Sequence, residues 1–147
     1  MHRHIIAAAV LIAGPAAAQD AASIKVVESD KYGEFLATEA GRPVYLFTAD
    51  TRAADGKAAE ISCTTPECLN AWPLVGAADM PQAGDGVGEG MLGTVDYEGQ
   101  KVVTYHGWPL YYFTRDEDAD APQGQDVESF GGEWYLITPD GEKVHAG

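Results

Sequence analysis

The side chains best placed to do chemistry occur as a pair of matching sets. Tyr45, Phe47 and Asp50 fall in Gly-Arg-Pro-Val-Tyr-Leu-Phe-Thr-Ala-Asp, residues 41–50, and Tyr111, Phe113 and Asp116 fall in Gly-Trp-Pro-Leu-Tyr-Tyr-Phe-Thr-Arg-Asp, residues 107–116. Each set has the form Tyr-x-Phe-x-x-Asp. In a strand, residues two apart project from one face, so each copy presents an aromatic pair, followed by a carboxylate just past the strand end. A carboxylate there readily accepts backbone N–H bonds and fixes a turn. A buried tyrosine hydroxyl needs a partner, and either aspartate can supply it. Two uses follow from this pattern: a structural clasp across a pseudo-twofold axis, or a ligand cleft lined by two tyrosines and two aspartates.

Cys63 and Cys68 are the sole cysteines. An even number in an exported chain favours a disulfide. Closing so short a loop is worth roughly 2 kcal/mol by chain entropy. The alternatives are a redox dithiol, which usually has Cys-x-x-Cys spacing at a helix start, and a metal thiolate site. His106 and His145, with Met80 and Met91, are the residues a soft metal or haem would use, but the spacing contains no Cys-x-x-Cys-His attachment and the histidines fall in different hairpins. Asp116-Glu117-Asp118-Ala119-Asp120 starts like a calcium loop. It fails the template, because Ala121 and Val127 stand where glycine and glutamate are required. No nucleophile elbow, metalloprotease helix or phosphate loop is present, so an enzyme is not expected, and no metal or cofactor is assigned.

The elements that must position these residues read as strands. Val44 to Phe47 is apolar on both faces, as for a strand covered on both sides. Strands are predicted over 24–27, 34–39, 43–48, 72–75, 91–97, 100–106, 109–114, 133–138 and 142–145, with turns at Gly41, Glu98-Gly99, His106-Gly107 and Pro139-Asp140-Gly141. One or two helical turns are expected at 66–72. Residues 76–90, rich in glycine, proline, alanine and aspartate, read as a loop between the repeats, and their length suits a mobile segment or one near a site. The copies align at Thr38/Thr104, Gly41/Gly107, Pro43/Pro109, Tyr45/Tyr111, Phe47/Phe113, Thr48/Thr114 and Asp50/Asp116, and Trp72-Pro73-Leu74-Val75 is echoed by Trp134-Tyr135-Leu136-Ile137. One supersecondary unit is thus used twice. The expectation is an all-β fold, with two pseudo-symmetric antiparallel repeats (33–75 and 91–141) forming one small sandwich or barrel-like domain.

Arg3, the apolar run Ile5 to Gly14 and Ala16-Ala17-Ala18 have the order of a secretory signal. Residues 1–18 are therefore expected to be removed near Ala18, leaving a periplasmic or secreted single domain, 19–147. The apolar run is too short to span a bilayer. A lipid anchor is not expected, since neither cysteine lies near the cleavage site. With 23 Asp and Glu against 9 Lys and Arg, and a formal net charge of −14, the surface disfavours nucleic acid and anionic lipid.

The paired Tyr-x-(Phe/Trp/Tyr)-x-x-Asp motifs, the cysteine-containing stretch ending in Trp72-Pro73, and the run Val103 to Phe113 resemble a family of exported bacterial repeat proteins, often described as predicted lipoproteins. The likeness covers roughly residues 33–141. It implies the fold and the exported compartment and attaches no activity. The chain departs from the family in lacking a lipid-accepting cysteine and in a cysteine pair one residue wider. The functional expectation is a monomeric binding or interaction module for an unknown protein or small ligand; the alternative is a periplasmic redox or metal-handling protein.

Overall fold

In the computed structural model, residues 23–116 and 121–145 are described. The expected signal, 1–18, lies outside them, as does most of the calcium-like stretch, 117–120. Chain order begins with β1 (Ser23–Ser29), β2 (Gly33–Thr38) and β3 (Tyr45–Phe47), followed by the helix α1 (Pro66–Ala71) and the short strands β4 (Gly76–Ala77) and β5 (Gln82–Ala83). A 3-10 turn at Glu89–Met91 leads into β6 (Leu92–Tyr97), β7 (Gln100–Tyr105), β8 (Trp108–Pro109), β9 (Val127–Ser129) and β10 (Gly132–Leu136). Three sheets form, in the orders β2-β1-β5, β3-β10-β9 and β4-β7-β6, with β8 also paired to β7. Their pairings are antiparallel except β1 with β5. The domain is all-β, and its sheets do not close into a barrel.

Alternation on β3 creates two cores. Tyr45 and Phe47 pack in one cluster with Trp72, Tyr111, Phe113, Trp134 and the cysteines, whereas Val44 and Leu46 pack in the other with Ile24, Leu36, Val103, Leu110 and Ile137. Such a strand must be apolar on both faces, as the run at 44–47 is.

The pseudo-twofold passes between Tyr45 and Tyr111, which exchange both backbone hydrogen bonds: Tyr45 N–H to Tyr111 O at 2.8 Å and Tyr111 N–H to Tyr45 O at 3.0 Å. Other bonds obey the same symmetry. Leu36 N–H donates to Ile137 O at 3.0 Å, and Val103 N–H donates to Val75 O at 2.8 Å. Leu46 pairs with Tyr135, and Tyr112 N–H donates to Pro73 O. Each of these joins one repeat to the other. The repeats therefore share a core that neither builds alone.

The structure corrects several expectations. Residues 76–90 are not a plain loop: β4 and β5 lie there, extending the β7 and β1 edges, and the 3-10 turn begins there. Of the strand expected at 72–75, only Leu74 makes a bridge, to Tyr111; the strand expected at 109–114 is the short β8 plus that bridged Tyr111. Leu74 and Tyr111 meet partners where the other repeat crosses them, whereas β8 pairs with β7 of its own repeat. The hairpin β9–β10 was not expected; its turn at Phe130-Gly131 has φ 57° and 87°, the pair of left-handed residues a two-residue type I′ turn requires. The proposed equivalence of Thr38 and Thr104 also shifts by one. Ala37, not Thr38, bridges Pro43, whereas Thr104 pairs with Pro109, so the first repeat carries one extra residue in this turn.

Candidate functional site

The structure brings all six motif residues together across the pseudo-twofold. Asp50 follows β3 in a turn closed by its own N–H on Phe47 O at 3.1 Å, and Asp116 repeats this on Phe113 O at 3.0 Å. Each carboxylate then reaches the other repeat. The Tyr45 hydroxyl donates to Asp116 Oδ2 at 2.6 Å, and the Tyr111 hydroxyl donates to Asp50 Oδ2 at 2.8 Å. The remaining oxygens hold the loops that follow: Ser62 N–H donates to Asp50 Oδ1 at 2.7 Å and Gln123 N–H to Asp116 Oδ1 at 2.6 Å. The next residue along reaches each tyrosine oxygen: Gly124 N–H donates to the Tyr45 hydroxyl at 3.1 Å, and the Cys63 backbone lowers the Tyr111 hydroxyl pKa against the effect of burial. The motif is a swapped double clasp.

Between the clasps runs a continuous stack of four rings. Phe47 lies on Trp134 at 3.8 Å, Trp134 on Trp72 at 4.0 Å, and Trp72 on Phe113 at 4.0 Å, with interplanar angles of 7°, 4° and 16°. Tyr45 meets Trp72 edge-on at 5.3 Å and Tyr111 meets Trp134 edge-on at 4.9 Å. Each such aromatic contact is worth about 0.5–1.5 kcal/mol beyond burial. Gly124 closes the stack on one side, where a Cβ would fall 2.8 Å from the rings of both Trp72 and Tyr45.

Burial sets the electrostatics. All six motif residues are buried. Desolvation pushes the Asp50 carboxyl up to about 6 from its ordinary 3.8, against the opposing hydrogen bonds from Ser62 and Tyr111. Burial, and next the facing aspartate, pushes both tyrosine hydroxyls well above their ordinary range, so they remain donors at physiological pH.

The second repeat has a counterpart among known families. Residues 94–138 match the family model of a secreted repeat of unknown function. The matched segment holds Tyr111, Phe113, Asp116 and Trp134, one half of clasp and stack. The secreted repeat family is therefore the one the sequence resembles, and its description supports an exported protein. No curated protein and no solved structure matches the chain.

The first half reaches the same clasp and stack with other parts. Cys63 and Cys68 form a disulfide. Thr65 caps α1 by accepting from Cys68 N–H at 3.2 Å, Pro66 occupies the first turn, and Trp72 ends the helix, its N–H on Cys68 O at 2.7 Å. The remaining candidate ligands are dispersed. His106 sits in the β7–β8 turn at φ 51°, packed against Gly141, and His145 is exposed near the C-terminal end. Met80 lines a cavity of about 250 Å3 with Pro81, Gln82, Ala83, Glu89 and Leu92, a lining without histidine or cysteine. Among the described residues, no three His, Cys, Asp or Glu side chains gather as a metal site.

Among the described residues, the twofold breaks on the surface beside Leu46 and Trp108. Leu46, Thr48, Arg52, Trp108, Glu142 and Lys143 line an open cavity of about 220 Å3. The symmetry-related position, at Tyr112 and Arg42, is covered: the Arg42 guanidinium lies over the Tyr112 ring at 4.4 Å and donates to Phe113 O at 3.2 Å. Apart from Thr48, which aligns with Thr114, no cavity residue stands out in the sequence. The available signal was the mismatch of Arg42 with Trp108, and of Leu46 with Tyr112, inside otherwise matching segments.

Proposed function

We propose that the protein is an exported binding module of the cell envelope, a periplasmic monomer that takes a small ligand in the cavity between Leu46, Arg52, Trp108 and Lys143. The observation that carries this is the broken symmetry. Two repeats that share the tyrosine–aspartate bonds of their clasps and the ring stack differ at this spot, where one half is sealed by Arg42 and the other is open. The motif residues are engaged with one another and none lines the cavity. Their role is the frame: Tyr45 and Phe47 face the buried stack while Leu46 and Thr48, between and beyond them, line the opening. A rigid frame under a shallow cavity lowers the cost of ordering a bound ligand.

The test is a nuclear magnetic resonance titration of the 15N-labelled mature protein with a mixed set of small organic acids, amines and neutral molecules. Shifts are expected to cluster at Leu46 to Arg52, Trp108 and Glu142 to Lys143. Shifts confined to another face would overturn the proposed site. Stoichiometric copper, iron or zinc in protein purified without chelator would overturn the function itself.

A further inference from the structure

We infer that the ligand of this cavity is a small organic monoanion, a carboxylate on a planar apolar body. The inference rests on the binding reading above and adds the chemical class. The chain is strongly acidic, with a net charge of −14, yet two of its few cations, Arg52 and Lys143, stand in this one lining. Neither forms an ion pair among the described residues. Arg52 is held in place from behind, its Nε donating to His106 O at 2.8 Å, while its terminal amino groups have no partner among the described residues. That leaves the two-pronged donor edge that matches a carboxylate. Lys143 is likewise positioned, its ammonium 4.6 Å from the centre of the Tyr135 ring.

Counting Glu142, the lining carries two positive charges and one negative, a net of one positive. This suits a monoanion better than a phosphate dianion, which Glu142 would repel. Leu46 forms an apolar floor, and the partly exposed Trp108 offers an aromatic surface for stacking. At about 220 Å3 the cavity is smaller than the roughly 300–1,000 Å3 of drug-sized pockets, so the ligand is compact. At the covered counterpart, Arg42 is already bound to its own chain, so among the described residues that position offers no second such site.

The probes are phenylacetate, its neutral analogue phenylacetamide and its cationic analogue phenethylamine, titrated against the intact mature protein and its R52Q and K143Q variants. Near-ultraviolet circular dichroism verifies that each variant keeps the aromatic stack. The expected result is that phenylacetate shifts the cavity amides, that phenylacetamide binds about tenfold more weakly, and that each variant loses about tenfold for phenylacetate while leaving phenylacetamide unchanged. If the amide or the amine shifts the same residues as strongly as the acid, the ligand class is wrong and the binding site stands. If no probe shifts the cavity while other molecules shift it, the class is again wrong. If nothing shifts it, both inferences fall.

Discussion

The two repeats place the same tryptophan against the same aspartate clasp by different means. In the first, Asp50 holds Ser62 across a twelve-residue span, and Trp72 arrives at the end of α1, which the Cys63–Cys68 disulfide ties to the clasp. In the second, Asp116 holds Gln123 only seven residues on, and Trp134 arrives on β10 of a hairpin whose turn is Phe130-Gly131. Where the first repeat has Cys63 over Tyr111, the second has Gly124 over Tyr45. The difference teaches that the ring stack and the clasps are the invariant of this architecture, and that the connecting elements are free to vary as long as each delivers its ring. That freedom lets one surface position open into a cavity while its twin stays shut.

The largest effect that would break this comparison is removal of either tryptophan. Trp72→Ala and Trp134→Ala are each expected to cost about 3–5 kcal/mol in urea unfolding. The double variant should cost less than the sum, because the rings touch. A tryptophan whose removal costs under about 1 kcal/mol would show that the stack is not shared evenly between the repeats.

The next effect probes the carboxylate of the first clasp. Asp50 binds its proton more tightly folded, near 6, than at its ordinary 3.8. Between these values the folded state holds more protons than the unfolded one, so this group makes stability fall as pH rises from about 4 to about 6, and its contribution is level above that. The span corresponds to a loss of about 3 kcal/mol. Asp50→Asn, which keeps an acceptor for the Tyr111 hydroxyl, should remove this slope. An unchanged slope from pH 4 to 6 in the variant would place its origin in another group.

The smallest effect tests the different bracing. The double variant C63A/C68A is expected to lose roughly 2 kcal/mol. Hydrogen exchange should then quicken first in α1 and at Ser62, while the β9–β10 hairpin stays protected. Equal loosening in both halves would mean that the disulfide braces the shared core and not one repeat.

Much of the architecture was legible in residue types and spacing. The unbroken apolar run Val44 to Phe47 required a strand buried on both faces. Glu98-Gly99 and His106-Gly107 marked hairpin turns, with φ of 49° and 85°, then 51° and 88°. The proline after Thr65 marked the short helix. Less legible were β4, β5 and the split runs after Trp72 and Trp108, because two-residue strands have no period of their own and exist only where another segment offers hydrogen-bond partners. The hairpin at Phe130-Gly131 was hidden by a phenylalanine where asparagine or glycine is the usual signal.

By itself, the sequence determined the duplication, the all-β class and the identity of the six residues at its centre, because periodicity and composition act locally along the chain. Only the tertiary structure decided that each tyrosine bonds the aspartate of the other repeat, that four rings stack across the axis, and that the open surface lies at Arg52, Trp108 and Lys143. Those outcomes depend on which segments cross in space, and no spacing along a single chain encodes a crossing.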